Sequence, residues 1–378
     1  MQFHKTAAED AEWEEKGRAE FKKLEDGDQE NRALWERFRG LALSEHAAMY
    51  AALNVAFDVR KGEADYETDL PRVIQELLDA GIATQSEGAL IVSLERFSLQ
   101  PGLIRKSDGG TLYLTRDVAS LEDRIQSHAP AKVFYVVANQ QALHLEQLFA
   151  TMELIKESSV ISEPLPELVH VKYGLVLGEG GKKFSSREGN AMPLTDVLDE
   201  AVRRADAVVQ AKNPELSGDE RSAVARAVGI GAVKFNDLRQ HPHTDIIFDW
   251  DAMLDLGGNS GPYLQYTHAR LRSIIAKAGP QGSADRSTLS HPSERALMQH
   301  LLNFGWSVSQ CARNHALNAL ALYLYELAEK ANRFYEQVRI NDDNQEARKA
   351  ARLELIGTVA DRLSQGLELL GIHAPQRI

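Results

Sequence analysis

The stretch Lys132-Val133-Phe134-Tyr135-Val136-Val137-Ala138 constrains the fold of this chain more than any other. A continuous apolar run bounded by turn residues reads as a strand covered on both faces, the usual state of strands in parallel sheets. Ahead of it, residues 106–110 form a turn leading into Thr111-Leu112-Tyr113-Leu114-Thr115-Arg116-Asp117, and residues 118–127 and 141–155 carry helical patterns. The order strand, helix, strand, helix is a crossover unit, whose ligands bind at the carboxyl ends of the strands. Tyr113 and Asp117 start the first helix and Asn139, Gln140 and Gln141 follow the strand, so all five converge on one sheet edge. An aspartate there suits a cation, and a tyrosine and glutamine suit its orientation. Helix capping by Asp117 and core packing by Tyr113 are the plain structural alternatives.

Residues 169–177 read as a further strand, which delivers the chain into Gly180-Gly181-Lys182-Lys183-Phe184-Ser185-Ser186-Arg187-Glu188-Gly189-Asn190. Lysine supplies a mobile point charge, arginine a planar fork, and serines and loop amides neutral donors, a set suited to polyphosphate. Taken bare, the same composition also fits a solvated surface loop. Residues 7–60 read as helices broken at Leu24-Glu25-Asp26-Gly27-Asp28, with 55–59 alternating like a short strand, 71–80 a helix ending at Gly81, and 89–94 a strand. Beyond the loop come a helix at 194–209 capped by Thr195 and one at 218–235, whose Gly229-Ile230-Gly231-Ala232 surface permits close helix contact. His241-Pro242-His243 has no acidic or cysteine partner in register, which disfavours metal ligation. From Asp249 the chain reads as all helix. Stretches at 293–310, 316–335 and 345–370 place Leu320, Tyr323, Leu324, Leu327, Ala331 and Phe334 on a bundle core.

At 378 residues the chain is long enough for two or three domains. Its longest apolar run, 316–324 broken by Asn318, is too short to cross a bilayer, and residues 1–15 lack an apolar signal segment, so a cytoplasmic location is expected. The single cysteine, Cys311, excludes an internal disulfide and a thiolate metal cluster and reads as a small buried hydrophobe on a helix. A net charge of -12 argues against nucleic-acid binding, yet from Ile246 onward 14 basic residues balance 14 acidic ones. The C-terminal third can therefore hold a basic face that the total conceals.

The loop Lys183-Phe184-Ser185-Ser186-Arg187 resembles the KMSKS signature of class I aminoacyl-tRNA synthetases, and its surroundings resemble arginyl-tRNA synthetase in particular. The supporting stretches are Leu24 to Asp28, Tyr113-Leu114-Thr115-Arg116-Asp117, Tyr135-Val136-Val137 with Gln141 and His144, Tyr263-Leu264-Gln265-Tyr266-Thr267-His268-Ala269-Arg270, and the ending Leu370-Gly371-Ile372-His373-Ala374-Pro375-Gln376-Arg377. The resemblance implies an α/β plus all-α architecture. Residues 1–105 would be the helical or insertion part of the catalytic domain, and 106–245 the second half of a Rossmann-type parallel sheet with the signature loop. Residues 246–378 would be a helical anticodon-binding bundle. It further implies ATP-dependent attachment of arginine to its tRNA through arginyl-adenylate, with magnesium accompanying ATP. By motif position, Lys183, Ser185, Ser186 and Arg187 would serve ATP; Tyr113, Asp117 and Gln141 would line the arginine pocket, with Asp117 facing the guanidinium. Tyr263, Tyr266, His268, Arg270, Asn332 and Tyr335 are candidates for gripping tRNA, and no residue is assigned to a metal.

Two departures from the family pattern stand out. Arg187 replaces the second lysine of the signature and keeps its charge. No His-x-Gly-His occurs anywhere in the chain, which therefore resembles the later two-thirds of a synthetase, without the signature half of the nucleotide fold or the N-terminal tRNA-contacting domain. A sheet lacking its first strands should expose an edge and an apolar face unless another chain covers them. The readings are a truncated or split arginine–tRNA ligase, with a separate chain supplying the missing half, or a catalytically inactive tRNA-binding paralogue. An unrelated nucleotidyl-transfer enzyme would leave the bundle and its ending unexplained. The first reading carries the expectation that the isolated chain charges tRNA poorly or not at all.

Overall fold

A computed structural model describes residues 6–7, 10–178, 193–280 and 282–378. Two compact units emerge, one comprising Phe57–Leu175 and Pro242–Asp245, the other Met1–Ala56, Val176–His241 and Ile246–Ile378. The larger unit begins with a helical hairpin, α1 (Ala11–Glu25) and α2 (Gln29–Ala52). Asp28 caps α2 by accepting from the amides of Glu30 and Asn31 at 3.1 and 3.0 Å, so the acidic break ends one helix and starts the next. The Asn31 side chain donates back to the Glu20 carbonyl at 2.8 Å and closes the hairpin. Residues 55–59 form no strand; they run as coil with Val55, Phe57 and Val59 exposed. Alternation alone does not make a strand without a ladder to satisfy its backbone.

The smaller unit opens with a 3₁₀ turn (Glu63–Asp69) and α3 (Leu70–Asp79), which buries Leu70, Val73, Ile74 and Leu77. Strands β1 (Ala83–Ser86), β2 (Ala89–Val92) and β3 (Gly102–Arg105) form an antiparallel sheet. Helix α4 (Tyr113–His128) follows, then β4 (Lys132–Ala138), a 3₁₀ turn (Asn139–Gln141), α5 (Ala142–Glu157) and β5 (Glu167–Tyr173). The expected crossover unit is therefore shifted by one element. Helix α4 already begins at Tyr113, the strand before it pairs antiparallel, and the parallel pair is β4 with β5 in unbroken register from Lys132↔Glu167 to Ala138↔Tyr173. The alternating Leu112 and Leu114 imitate a strand, but Leu114, Val118, Leu121 and Ile125 share one buried helical face. Thr115, an indifferent helix former, gives its hydroxyl to the Ile104 carbonyl at 2.6 Å.

Val133, Tyr135 and Val137 turn one face of β4 onto this unit's core. On the other face Val136 is 66% exposed, and no third strand joins β4 among the described residues. The apolar run of β4 reads as a strand covered on both faces, but among the described residues only one face is covered, as expected of a sheet that lacks neighbouring strands.

The larger unit resumes with β6 (Val176–Leu177), so the strand expected over 169–177 is interrupted at Gly174 and Leu175. Helix α6 (Leu194–Lys212) is preceded by Pro193 with no side-chain cap, and Thr195 lies inside the helix rather than at its cap. Helix α7 (Gly218–Leu238) carries a reciprocal cap between Ser217 and Glu220. Strand β7 (Ile246–Ile247) pairs parallel with β6, and α8 (Trp250–Leu254) precedes α9 (Gly261–Ala278). The expected helix over 293–310 is two helices, α10 (Pro292–Leu301) and α11 (Phe304–Asn314). Between them the Asn303 amide closes a tight four-residue turn to the His300 carbonyl at 3.0 Å. Helices α12 (Asn318–Gln337) and α13 (Glu346–Leu369) complete the bundle. Leu320, Tyr323, Leu324, Leu327, Ala331 and Phe334 are all buried in its core, as their spacing indicates, and Cys311 is buried beside them. No helix among the described residues is long and apolar enough to cross a membrane.

Small residues set the helix spacing in this unit. A Cβ on Gly229 would lie 2.7 Å from the Ala201 backbone of α6, and one on Gly261 would lie 2.6 Å from the Gly231 carbonyl oxygen of α7. Gly229→Val must push α6 and α7 apart, at an expected cost of about 1–3 kcal/mol, readable as a lowered urea midpoint with an unchanged slope.

A buried ionic cluster ties α13 to the bundle. Arg352 binds Glu294 at 2.6 Å and Asp343 at 2.5 Å, while Arg348 holds both Asp343 oxygens at 2.6 and 2.7 Å. The Arg348 bonds hold the Asp343 carboxyl down to about 2, with Arg352 adding to them. Because that value lies below the unfolded one of about 3.9, the contribution is complete above pH 4 and is lost as pH falls toward 2. Asp343→Asn should therefore melt well below the parent protein at pH 7, and the gap should close between pH 4 and pH 2.

Candidate functional site

The expected arginine-pocket residues sit where α4 and α5 begin. Tyr113 is the first residue of α4 and 64% exposed, and Asp117 lies one turn on, on the same face. Gln141 ends the 3₁₀ turn after β4 and is exposed. One turn further, His144 of α5 places Nε2 2.6 Å from Asp117 Oδ2, joining the two helix starts. His144 belongs to the motif stretch but carries no assigned role in the sequence reading; its signal is the spacing of three from Gln141. Beneath this pair, Arg124 donates to the Tyr135 hydroxyl at 3.2 Å and lies over the Tyr135 ring at 5.7 Å. Burial pushes the Tyr135 phenol up to about 12, with Asp117 adding to the rise and Arg124 opposing it, so the hydroxyl stays neutral. Lys61 and Tyr66 both bind Asp123, nearly two turns further along α4, at 2.6 and 3.1 Å. The local lysine and arginine partners are thus committed elsewhere, and among the described residues the Asp117 carboxylate pairs only with an imidazole. The imidazole engages one carboxylate oxygen and leaves the other open to a ligand.

The expected phosphate residues Lys183, Ser185, Ser186 and Arg187 lie outside the described residues.

In the larger unit, five of the six expected tRNA contacts share one patch on α9 and α12. The Arg270 guanidinium lies 4.8 Å from the Tyr266 ring centre and 5.9 Å from that of Tyr335, and donates to Asn332 Oδ1 at 3.2 Å. Asn332 in turn donates to the Tyr263 hydroxyl at 2.9 Å and to Thr267 Oγ1 at 3.1 Å. Tyr335 is 43% exposed, and Tyr266 and Arg270 are half-buried, so the patch presents aromatic faces and a charged plane to solvent. Burial raises the Tyr263 phenol, with the Asn332 bond opposing.

His268 is placed differently. It is fully buried, with Nδ1 3.0 Å from the Pro375 carbonyl and Nε2 accepting from Arg272 at 3.2 Å; burial lowers the pKa of its imidazole. Together with Gln265, which donates to His373 O at 2.6 Å, and Lys234, which donates to Gly371 O at 2.7 Å, it clamps the C-terminal segment onto α7 and α9. Lys234 also donates to the Leu53 carbonyl at the end of α2.

The family model for the catalytic domain of class I tRNA synthetases (R) matches residues 1–250, and that for the DALR anticodon binding domain matches residues 264–378. The chain is 41% identical over 360 residues to arginine–tRNA ligase of Chloroflexus aggregans, covering 94% of this chain and 62% of that protein. It is 40% identical over 379 residues to that of Enterococcus faecalis, covering 100% of this chain and 66% of that protein. Among solved structures, arginyl-tRNA synthetase of Thermus thermophilus superposes with a TM-score of 0.82 at 26% identity, covering 99% of this chain and 68% of that one. The chain thus spans a little under two-thirds of the length of the curated relatives it matches. A class I synthetase catalytic region with small parallel sheets followed by a helical DALR domain is the architecture described above, and the chain belongs to the arginyl-tRNA synthetase family.

Proposed function

We propose that this chain carries the arginine-binding, ATP-binding and anticodon-side parts of an arginine–tRNA ligase. The observation that carries this reading is the Asp117 carboxylate, half-buried where α4 and α5 begin and left without a lysine or arginine partner among the described residues. A guanidinium supplies the missing charge and a planar set of donors. Tyr113 and Gln141 flank it with neutral acceptors. The arginine carboxylate then attacks the α-phosphate of ATP, forming arginyl-adenylate as the α–β phosphoanhydride bond breaks and pyrophosphate leaves. The terminal ribose hydroxyl of tRNA next attacks the arginyl carbonyl and releases AMP. Lys183, Ser185, Ser186 and Arg187 are assigned to the phosphates, where their charge would offset that developing in transfer. Magnesium is expected to travel on the ATP phosphates; among the described residues no cluster of His, Cys, Asp or Glu suits a metal ion, and none is assigned to it.

By position, we assign 1–105 and 106–245 to the catalytic part and 246–378 to the anticodon part. The Tyr263, Tyr266, Arg270, Asn332 and Tyr335 patch suits unstacked bases, which lie on aromatic faces and guanidinium planes. His268, committed to the C-terminal segment, is left out of that contact set. The location proposed is the cytoplasm. A separate chain supplying further catalytic residues is part of the proposal, because no His-x-Gly-His is present.

The purified chain should be incubated with labelled arginine, ATP and an arginine tRNA, alongside a filter-binding titration of the same tRNA. Specific tRNA binding with weak or no charging is the expected result; no specific binding would sink the assignment. Arg270→Ala should weaken that binding by about tenfold, since one stacked cation–π layer is lost, while the melting curve stays near that of the parent.

A further inference from the structure

Resting on the reading of Asp117 as the guanidinium-binding carboxylate, we infer that His144 is a positioning residue that selects how that carboxylate meets its ligand. The contact is tertiary and short: Nε2 of His144 and Oδ2 of Asp117 are 2.6 Å apart across 27 residues of sequence, and both side chains are partly buried. Each backbone is anchored independently. Leu114, Val118 and Leu121 fix α4 in the core, and Leu145, Leu148 and Met152 fix α5. A carboxylate near a helix start is otherwise free to change rotamer or turn back onto nearby amides. The imidazole removes that freedom.

The chemistry of the pair decides what it does. With the carboxylate ionised, His144 is the donor, through Nε2–H, and Oδ2 is engaged. Among the described residues no other side chain bonds to that carboxylate. Oδ1 is thereby the oxygen left wholly open to a ligand's N–H, while Oδ2, already accepting from the imidazole, is the weaker second acceptor for a planar fork. The remaining guanidinium donors must fall to neutral acceptors, for which Gln141, one turn before His144, and Tyr113, one turn before Asp117, are placed. A lysine or arginine at position 144 would orient Asp117 equally well but would cancel its charge; an aliphatic residue would keep the charge and lose the orientation. Histidine supplies the bond without obligatory compensation. The charged groups around the pair are otherwise engaged: Arg124 with Tyr135, Arg116 with the Thr111 carbonyl at 3.4 Å, and Lys61 with Asp123.

The test is calorimetric titration of the full chain with L-arginine and with L-citrulline, its uncharged urea counterpart, for the parent protein, His144→Leu, His144→Gln and His144→Lys. His144→Leu should weaken arginine about tenfold, the loss expected for one hydrogen bond to a charged group, while ATP affinity and melting temperature hold. His144→Gln, which keeps a neutral donor, should recover most of the affinity. His144→Lys should reduce the preference for arginine over citrulline. Nitrogen-15 spectra of the histidine-labelled chain should show the Nε2–H form of His144, altered by Asp117→Asn. Should His144→Leu not fold, the Gln and Lys variants carry the comparison. Arginine affinity unchanged within twofold in every folded variant would overturn the proposal alone. An unsubstituted chain that binds no arginine at all would overturn the pocket reading and this proposal with it.

Discussion

The larger unit is built on backbone-to-backbone contact between helices. Where α7 meets α6 and α9, glycines at 229, 231 and 261 remove the side chains that would otherwise hold the axes apart. That approach brings α9 close enough for Gln265 to reach the Ala227 carbonyl of α7 at 3.0 Å, and the same side chain reaches the C-terminal segment. Phe235, Leu264 and Ile372 then bury in one cluster with the bundle helices. The tyrosine–arginine patch on α9 and α12 inherits its geometry from this junction, because Tyr263, Tyr266 and Arg270 lie on the helix it positions. Close packing transmits such constraints because a packed interior has little room to yield.

Much of this was legible in the sequence, and the failures have physical causes. Periodicity located the bundle core because α12 buries one face against apolar neighbours, and the acidic break before α2 was legible because Asp28 is a side-chain cap. Residues 111–114 misled because alternating leucines satisfy a strand and the first turn of an amphipathic helix equally well over four positions. The stretch 55–59 misled because a strand is a property of a pair, and its partner cannot be read from its own residues. Thr195 looks like a cap by type, yet the helix starts one residue earlier after Pro193.

The candidate site was legible in its residue types but less so in its divisions of labour. Motif position grouped His268 with Tyr263, Tyr266 and Arg270, although helical geometry turns residue 268 inward to the C-terminal segment. It left His144 without a role because a hydrogen-bond partner 27 residues away, on another helix, leaves no local pattern. In both cases one imidazole makes a contact between segments far apart in sequence, once with the chain end and once with a carboxylate.

The exposed face of β4 has a practical consequence for the protein in solution. Among the described residues no second strand covers the free edge of β4, and such an edge beside a solvent-facing valine, with no proline or bulge to blunt it, is a template for pairing with the same strand of another molecule. Lys132 at the strand's start is already engaged by Glu167 at 2.7 Å, which weakens it as a gatekeeper charge. Whatever occupies that seven-residue edge removes the template, which a change in the net charge of the chain does not do.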